Sequence, residues 1–388
     1  MSCMSYRIHL YLLVFVTICA CTVLASAQVT SLPTELDQAI PATSSAVAYV
    51  YVSNAPSTVT DEIYGYSVAS NGALTALSGS PWHTTDSYMA LNGAWLFSTD
   101  GVKIDSWSIG SNGALALADT YNAGNGIGGP IDLVLDHTGT DLYVGYVNME
   151  GMGGNGYQAY SINQSTGQIT FLDSVGDSAN VISFVGNNQY AYTSNCDPSA
   201  PGLFGFQRYS TGSISQLNLS QVYPMARSGD FYCPFLAAAD STNHLAIAVQ
   251  PYSGFGSPVG PYQLATYTVN SAGNVSTKST YSNMPSMLVG SLNDYNMSPS
   301  GKYLAVGGGS GLQIFHFNGA NPITKFTGRL TAASIDQMFW DNASHLYAIS
   351  RNAGKLFVYT VTSTGVTQAP GSPHTIANPL NIVVLPKS

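Results

Sequence analysis

From Ala46 onward, apolar and polar positions alternate in short runs, and the runs stop at Gly, Asn, Pro or Ser. A period of two is that of a β-strand with one face packed. One order of elements recurs seven times: a strand, a variable loop, a strand carrying an aromatic residue, a Gly turn and a last strand. The first copy takes Ala48 to Asn54, then the stretch around Tyr66, turns at Asn71-Gly72 and ends in Gly79-Ser80-Pro81-Trp82. The second repeats it with Trp95, Trp107 and Asn112-Gly113. Asn-Gly between alternating runs is a strong hairpin signal, because both residues accept the left-handed backbone of a tight turn. Tyr66, Trp107, Tyr160, Phe206, Tyr267, Phe315 and Tyr359 fall at one position, at blade-sized spacing. An aromatic at one fixed place in every copy is expected to pack between neighbouring copies.

The two ends complete each other. The segment from Pro379 to Leu385 reads as the first strand of a repeat that does not continue, and the copy that opens at Ala48 lacks its first strand. The pattern therefore predicts an all-β fold: a seven-bladed β-propeller of four-stranded antiparallel blades over residues 46–388. Its ring is closed by the C-terminal strand completing the N-terminal blade, which leaves no open gap.

Composition narrows the function classes. Only 8% of the residues are charged and the net charge is -9, with 11 basic residues spread thinly, so no electrostatic footprint for nucleic acid or anionic lipid exists. Arg7, the apolar run from Leu10 to Ala20 and the small-x-small site Ala25-Ser26-Ala27 read as a secretory signal peptide over residues 1–27. An uncleaved anchor and lipid attachment at Cys21 are the alternatives. Residues 28–45 read as an extended linker. The mature chain is then secreted or periplasmic, monomeric, and off the membrane once the leader is cleaved. Two cysteines remain, Cys196 and Cys233, on the same face of adjoining blades; in an oxidising compartment they are expected to pair.

Tyr49-Val50-Tyr51-Val52-Ser53-Asn54, the aromatic strands, the Asn-Gly turns, Gly-Ser-Pro, and the turn at Ser298-Pro299-Ser300-Gly301 carry a resemblance over roughly 46–386. They resemble the seven-bladed lactonase family of bacterial 6-phosphogluconolactonase and the carboxymuconate cyclases, and more loosely the YVTN-type surface-layer propellers. The resemblance implies the fold and a lactone hydrolase activity; its carriers are structural residues and fix no catalytic group.

Because strands reverse direction, connections between the second and third strands share a face with those from blade to blade. This upper face receives the long insertions, where binding groups sit on a rigid scaffold. Around blades four and five it gathers Arg227 and Asp230, candidate catalytic residues, with Tyr223, Tyr232, Asp197, Tyr252 and Tyr262 as candidate ligand contacts. Arg227 would polarise a carbonyl or hold a carboxylate, and Asp230 would activate a water. The structural alternative is an Arg227 to Asp230 ion pair that orders the loop. Asp61, Glu62, His83, Asp86 and Glu150 also belong to this face, and His374 nearly matches His83 in position.

Other titratable residues read as structural. Asp136, Asp240 and Asp341 share one place in the turn after the first strand, as turn formers. His244 and His345 precede the second strand, matched by Asp141 and Lys302, and read as solvated lower-face residues; His137 lies in the same turn. No metal-ligand spacing occurs, so neither a metal nor a cofactor is expected. Without a Lys/Arg cluster, a phosphorylated substrate is disfavoured. The expected activity is hydrolysis of a lactone of a sugar or related acid. The competing expectation is a non-catalytic extracytoplasmic propeller that binds a glycan or a protein.

Overall fold

The computed structural model describes residues 45–54, 61–123, 129–147, 155–176, 181–197, 201–254 and 256–387. The leader, all but the end of the linker, and Glu150 lie outside them. The described residues form seven antiparallel sheets and contain no helix. The ring closes as the sequence predicts: Pro379–Pro386 pairs with Ala48–Asn54, which pairs with Glu62–Val68, so both chain ends build blade one.

The core is divided among the blade junctions. Tyr49, Tyr51 and Leu77 of blade one pack with Met89, Leu96 and Trp107 of blade two, and a cluster of the same kind fills each of the other six junctions. Six of the seven aligned aromatics are buried, as expected of packing groups, and Tyr66 is half-buried. A second contact keys neighbouring blades together. The hydroxyls of Tyr51, Tyr143 and Tyr192 donate to the carbonyls of Gly113 (2.8 Å), Gly212 (2.7 Å) and Gly273 (2.7 Å) in the next blade. Gly113 has φ +83°, and a Cβ there would lie 2.8 Å from the Tyr49 ring, so only glycine satisfies both the turn and the close approach.

The lower turns form as expected around their aspartates, which satisfy free backbone donors. Asp136 accepts the N–H of Thr140 (2.9 Å) and Asp141 (3.0 Å), Asp240 those of Thr242 (2.9 Å) and His244 (3.0 Å), and Asp341 those of Ala343 and His345 (both 2.8 Å). The histidines depart from expectation. His345 is fully buried, not solvated: the Gly72 turn of blade one covers its ring, and its Nδ1 lies 2.7 Å from Asp341. His244 is half-buried, 3.0 Å from Asp240. The residue in this register in blade six is Tyr303, not Lys302, as the Ser298 N–H to Tyr303 carbonyl bond shows.

Cys196, after the second strand of blade four, is bonded to Cys233 in the first strand of blade five, with Cα atoms 5.1 Å apart and a sequence separation of 37. Closing a loop of this size stabilises by about 3–4 kcal/mol on the chain-entropy account. The Cys196→Ser/Cys233→Ser protein is expected to lose that amount in urea denaturation; a change below about 1 kcal/mol would contradict the account.

Candidate functional site

Each blade turns its first strand toward the ring axis, and that strand is an edge whose inward backbone groups have no ladder partner. The seven inner strands enclose an axial cavity of about 530 Å³. Counting back four residues from each lower turn identifies one equivalent position per blade: Tyr88, Asp132, Val181, Leu236, Asp294 and Gln337, with Asn381 in the closing strand.

Three of these side chains solve the edge problem for the blade that follows. Asp294 Oδ2 accepts the N–H of Met338 (2.5 Å), Gln337 Oε1 that of Ile382 (2.7 Å), and Asn381 Oδ1 that of Met89 (3.0 Å). A buried N–H without a partner is costly, so a polar side chain here has a structural use. Asn381 and Gln337 perform it without charge. The carboxylate of Asp294 is therefore surplus to the structural need.

Asp132 and Asp294 both line the cavity, on blades three and six. Burial within the ring is the first cause that pushes each carboxyl up to about 7, and repulsion from Asp294 adds to the rise at Asp132. Asp294 is held by the N–H groups of Tyr295 and Met338, whereas Asp132, among the described residues, accepts that of Leu133 alone, at 2.9 Å. Among the described residues, the lining includes neither Lys nor Arg. Burial, and then the charge of Asp132, push the Tyr88 hydroxyl up against the weaker pull of Arg351, whose Nε donates to Asn378 (2.9 Å).

The sequence pattern hides this pair for identifiable reasons. The strand that carries Asp294, Leu292–Met297, has too many polar residues to read as a strand, and Asp132 was absorbed into an apolar run. The available signal was the register: each Asp sits four places before a turn residue, Asp136 or Ser298, where blades four and five carry Val181 and Leu236.

The upper-face candidates fall elsewhere. The first strand of blade five extends over Asp230–Ala239, so Asp230, Tyr232 and Cys233 lie in a strand and not in a loop; Tyr252 is likewise in His244–Ser253. Arg227, Asp230 and Tyr232 share a recess of about 160 Å³ outside the axial cavity. Arg227 and Asp230 form no ion pair, although the N–H of Asp230 donates to the carbonyl of Arg227 (3.0 Å). Tyr223 is turned toward the start of the third strand of blade four, donating to the carbonyl of Pro201 (2.5 Å). Tyr252 is buried against Phe231, and Tyr262 meets the ring of Phe235 edge-on at 4.8 Å. Asp197 lies exposed, next to Cys196.

His83 is exposed, 3.7 Å from Glu62. His374 occupies the register of Trp82 and not of His83, pairing with Leu356 as Trp82 pairs with Ile63. Asp86 is buried with Lys103 and Asp105 on blade two, outside both cavities. Among the described residues, no group of three or more His, Cys, Asp or Glu has metal-site geometry.

No known family profile matches the chain, and no curated protein matches its sequence. Solved structures do match. A Lactobacillus plantarum protein is 14% identical with a TM-score of 0.62, covering 88% of this chain and 99% of its own. A candidate 6-phosphogluconolactonase of Bacteroides fragilis is 14% identical with a TM-score of 0.61, covering 89% and 99%. A similarly named protein of Bacteroides uniformis is 14% identical with a TM-score of 0.60, covering 87% and 99%. At such identity the likeness is one of fold, and in fold the resemblance read from the sequence is met.

Proposed function

We propose that this propeller is an exported hydrolase that opens an uncharged lactone in its axial cavity, with Asp294 as general base and Asp132 as the proton-bearing partner. The observation that carries the reading is a pair of carboxyls at equivalent positions of blades three and six, each pushed up to about 7 in a cavity lined without Lys or Arg. Two such acids, one raised further by the other's charge, carry on average about one proton between them near pH 7. Asp294, with two backbone donors, is the better carboxylate, and Asp132 keeps the proton.

Asp294 takes a proton from water as the water oxygen bonds to the lactone carbonyl carbon, and the Asp132 hydroxyl donates to the carbonyl oxygen as it gains charge. The intermediate collapses with cleavage of the ring C–O bond, the departing oxygen takes the proton held by Asp294, and a hydroxy acid leaves. The names of two structural neighbours support lactone chemistry. The lack of Lys or Arg among the described lining residues argues against a phosphorylated substrate, and the disulfide supports an oxidising compartment.

The test is pH-stat hydrolysis of phosphorylated and unphosphorylated lactones by wild-type protein and the Asp132→Asn, Asp294→Asn, Arg227→Ala and Asp230→Ala variants. The expected profile is a bell centred near pH 7, with kcat/KM lowered at least ~100-fold by either Asn variant. Loss confined to Arg227→Ala and Asp230→Ala would move the chemistry to their recess. Wild-type turnover no faster than buffer on every lactone would sink the hydrolytic reading and leave the binding one.

A further inference from the structure

We infer that the recess beside blade five is a saccharide-binding subsite, separate from the axial cavity and independent of the hydrolytic reading. Blade five is built differently from the others at its upper end. Its first two strands, Asp230–Ala239 and His244–Ser253, stay paired as far as Asp230 and Ser253, and Ser257–Pro258 adds to them. The extension forms one wall of the recess, and Tyr281, from the connection to blade six, lines it too.

Two groups of opposite charge line this space without neutralising each other. Arg227 and Asp230 belong to one turn, yet among the described residues neither side chain has an ion-pair partner. The Arg227 guanidinium lies 5.7 Å from the centroid of the Tyr281 ring, which holds it in place, and Tyr281 is 45% exposed. Beneath them, the Tyr232 hydroxyl donates to Gln263 Oε1 (2.8 Å), fixing the amide that lines the floor.

Chemistry selects the occupant. Guanidinium only donates and carboxylate only accepts, so a ligand that lies between them must offer groups that do both, and hydroxyls are such groups. An exposed tyrosine face suits the C–H face of a pyranose ring by the same apolar contact that places aromatics at wet sites. The paired charges sum to zero, so a charged ligand meets repulsion from one of them. Together these match a neutral pyranose within an oligosaccharide.

The experiment is calorimetric titration of the wild-type protein with maltopentaose, cellopentaose and chitopentaose, with an oligogalacturonate as the charged control. The same titrations are run on Tyr281→Ala, Asp230→Asn and Asp132→Asn, each checked for folding by near-UV circular dichroism. A neutral oligosaccharide is expected to bind, to lose affinity at least ~10-fold in both recess variants, and to bind the Asp132→Asn protein as it binds wild type. Binding lost in Asp132→Asn would place the sugar in the axial cavity and overturn the inference. So would binding indifferent to Tyr281 and Asp230, preference for the galacturonate, or no binding by any probe.

Discussion

Asp132→Asn and Asp294→Asn proteins are expected to be more stable than wild type at pH 8 and nearly equal to it at pH 4.5. Both carboxyls titrate at about 7 in the folded protein, above the value of 3.8 for an unperturbed aspartate. Between those values the folded state keeps protons that the unfolded state has released. Unfolding therefore releases protons, and stability falls as pH rises from about 4 through 7. A rise of about three units corresponds to about 4 kcal/mol, and contact of the half-buried carboxyls with cavity water reduces this to roughly 2–4 kcal/mol each. An asparagine amide removes the penalty and still accepts the Met338 N–H, as Asn381 does for Met89.

Urea denaturation at pH 4.5 and 8 measures the effect directly. Parallel pH profiles for wild type and variants would mean the carboxyls are unstrained, and would remove the physical basis for a shared proton in the cavity. Increased stability at pH 8 together with lost turnover would mark the pair as groups kept for chemistry at the expense of the fold.

Lys103→Met is expected to destabilise the protein by about 3–5 kcal/mol at pH 8, because it leaves buried charge without a counterion. Lys103 Nζ bonds Asp86 (2.9 Å) and Asp105, and both carboxylates are buried. Ser98 donates to Asp86 (2.5 Å) and Thr120 to Asp105 (2.6 Å), but hydroxyl donors do not balance two negative charges. Burial already pushes Asp86 up, against the pull of Lys103. Without Lys103 the Asp86 carboxyl would protonate more readily, so the loss should shrink at pH 5. Adding Asp86→Asn and Asp105→Asn to Lys103→Met should recover much of it at pH 8. A loss in Lys103→Met that is independent of pH and not recovered in the triple variant would mean that the lysine stem's packing, and not its charge, is what matters.

Strand alternation, the Asn-Gly turns and the incomplete terminal repeats determined the propeller, its closure and the pairing of Cys196 with Cys233, because those features are local or repeat at a fixed interval. Gly113 and the aligned aromatics were legible for the same reason: one requirement recurs in every blade. His345 was misread because its burial comes from a turn in blade one, far away in sequence. Arg227 and Asp230 stood out as rare charges in a long connection, and their recess was legible as a place, though not the lack of an ion pair between them.

What only the tertiary structure decided is the meeting of Asp132 and Asp294. Each is unremarkable on its own strand, one inside an apolar run and the other among asparagines. Their chemistry arises because ring closure brings blades three and six to a common axis, where burial raises both carboxyls and the charge of Asp294 raises Asp132 further.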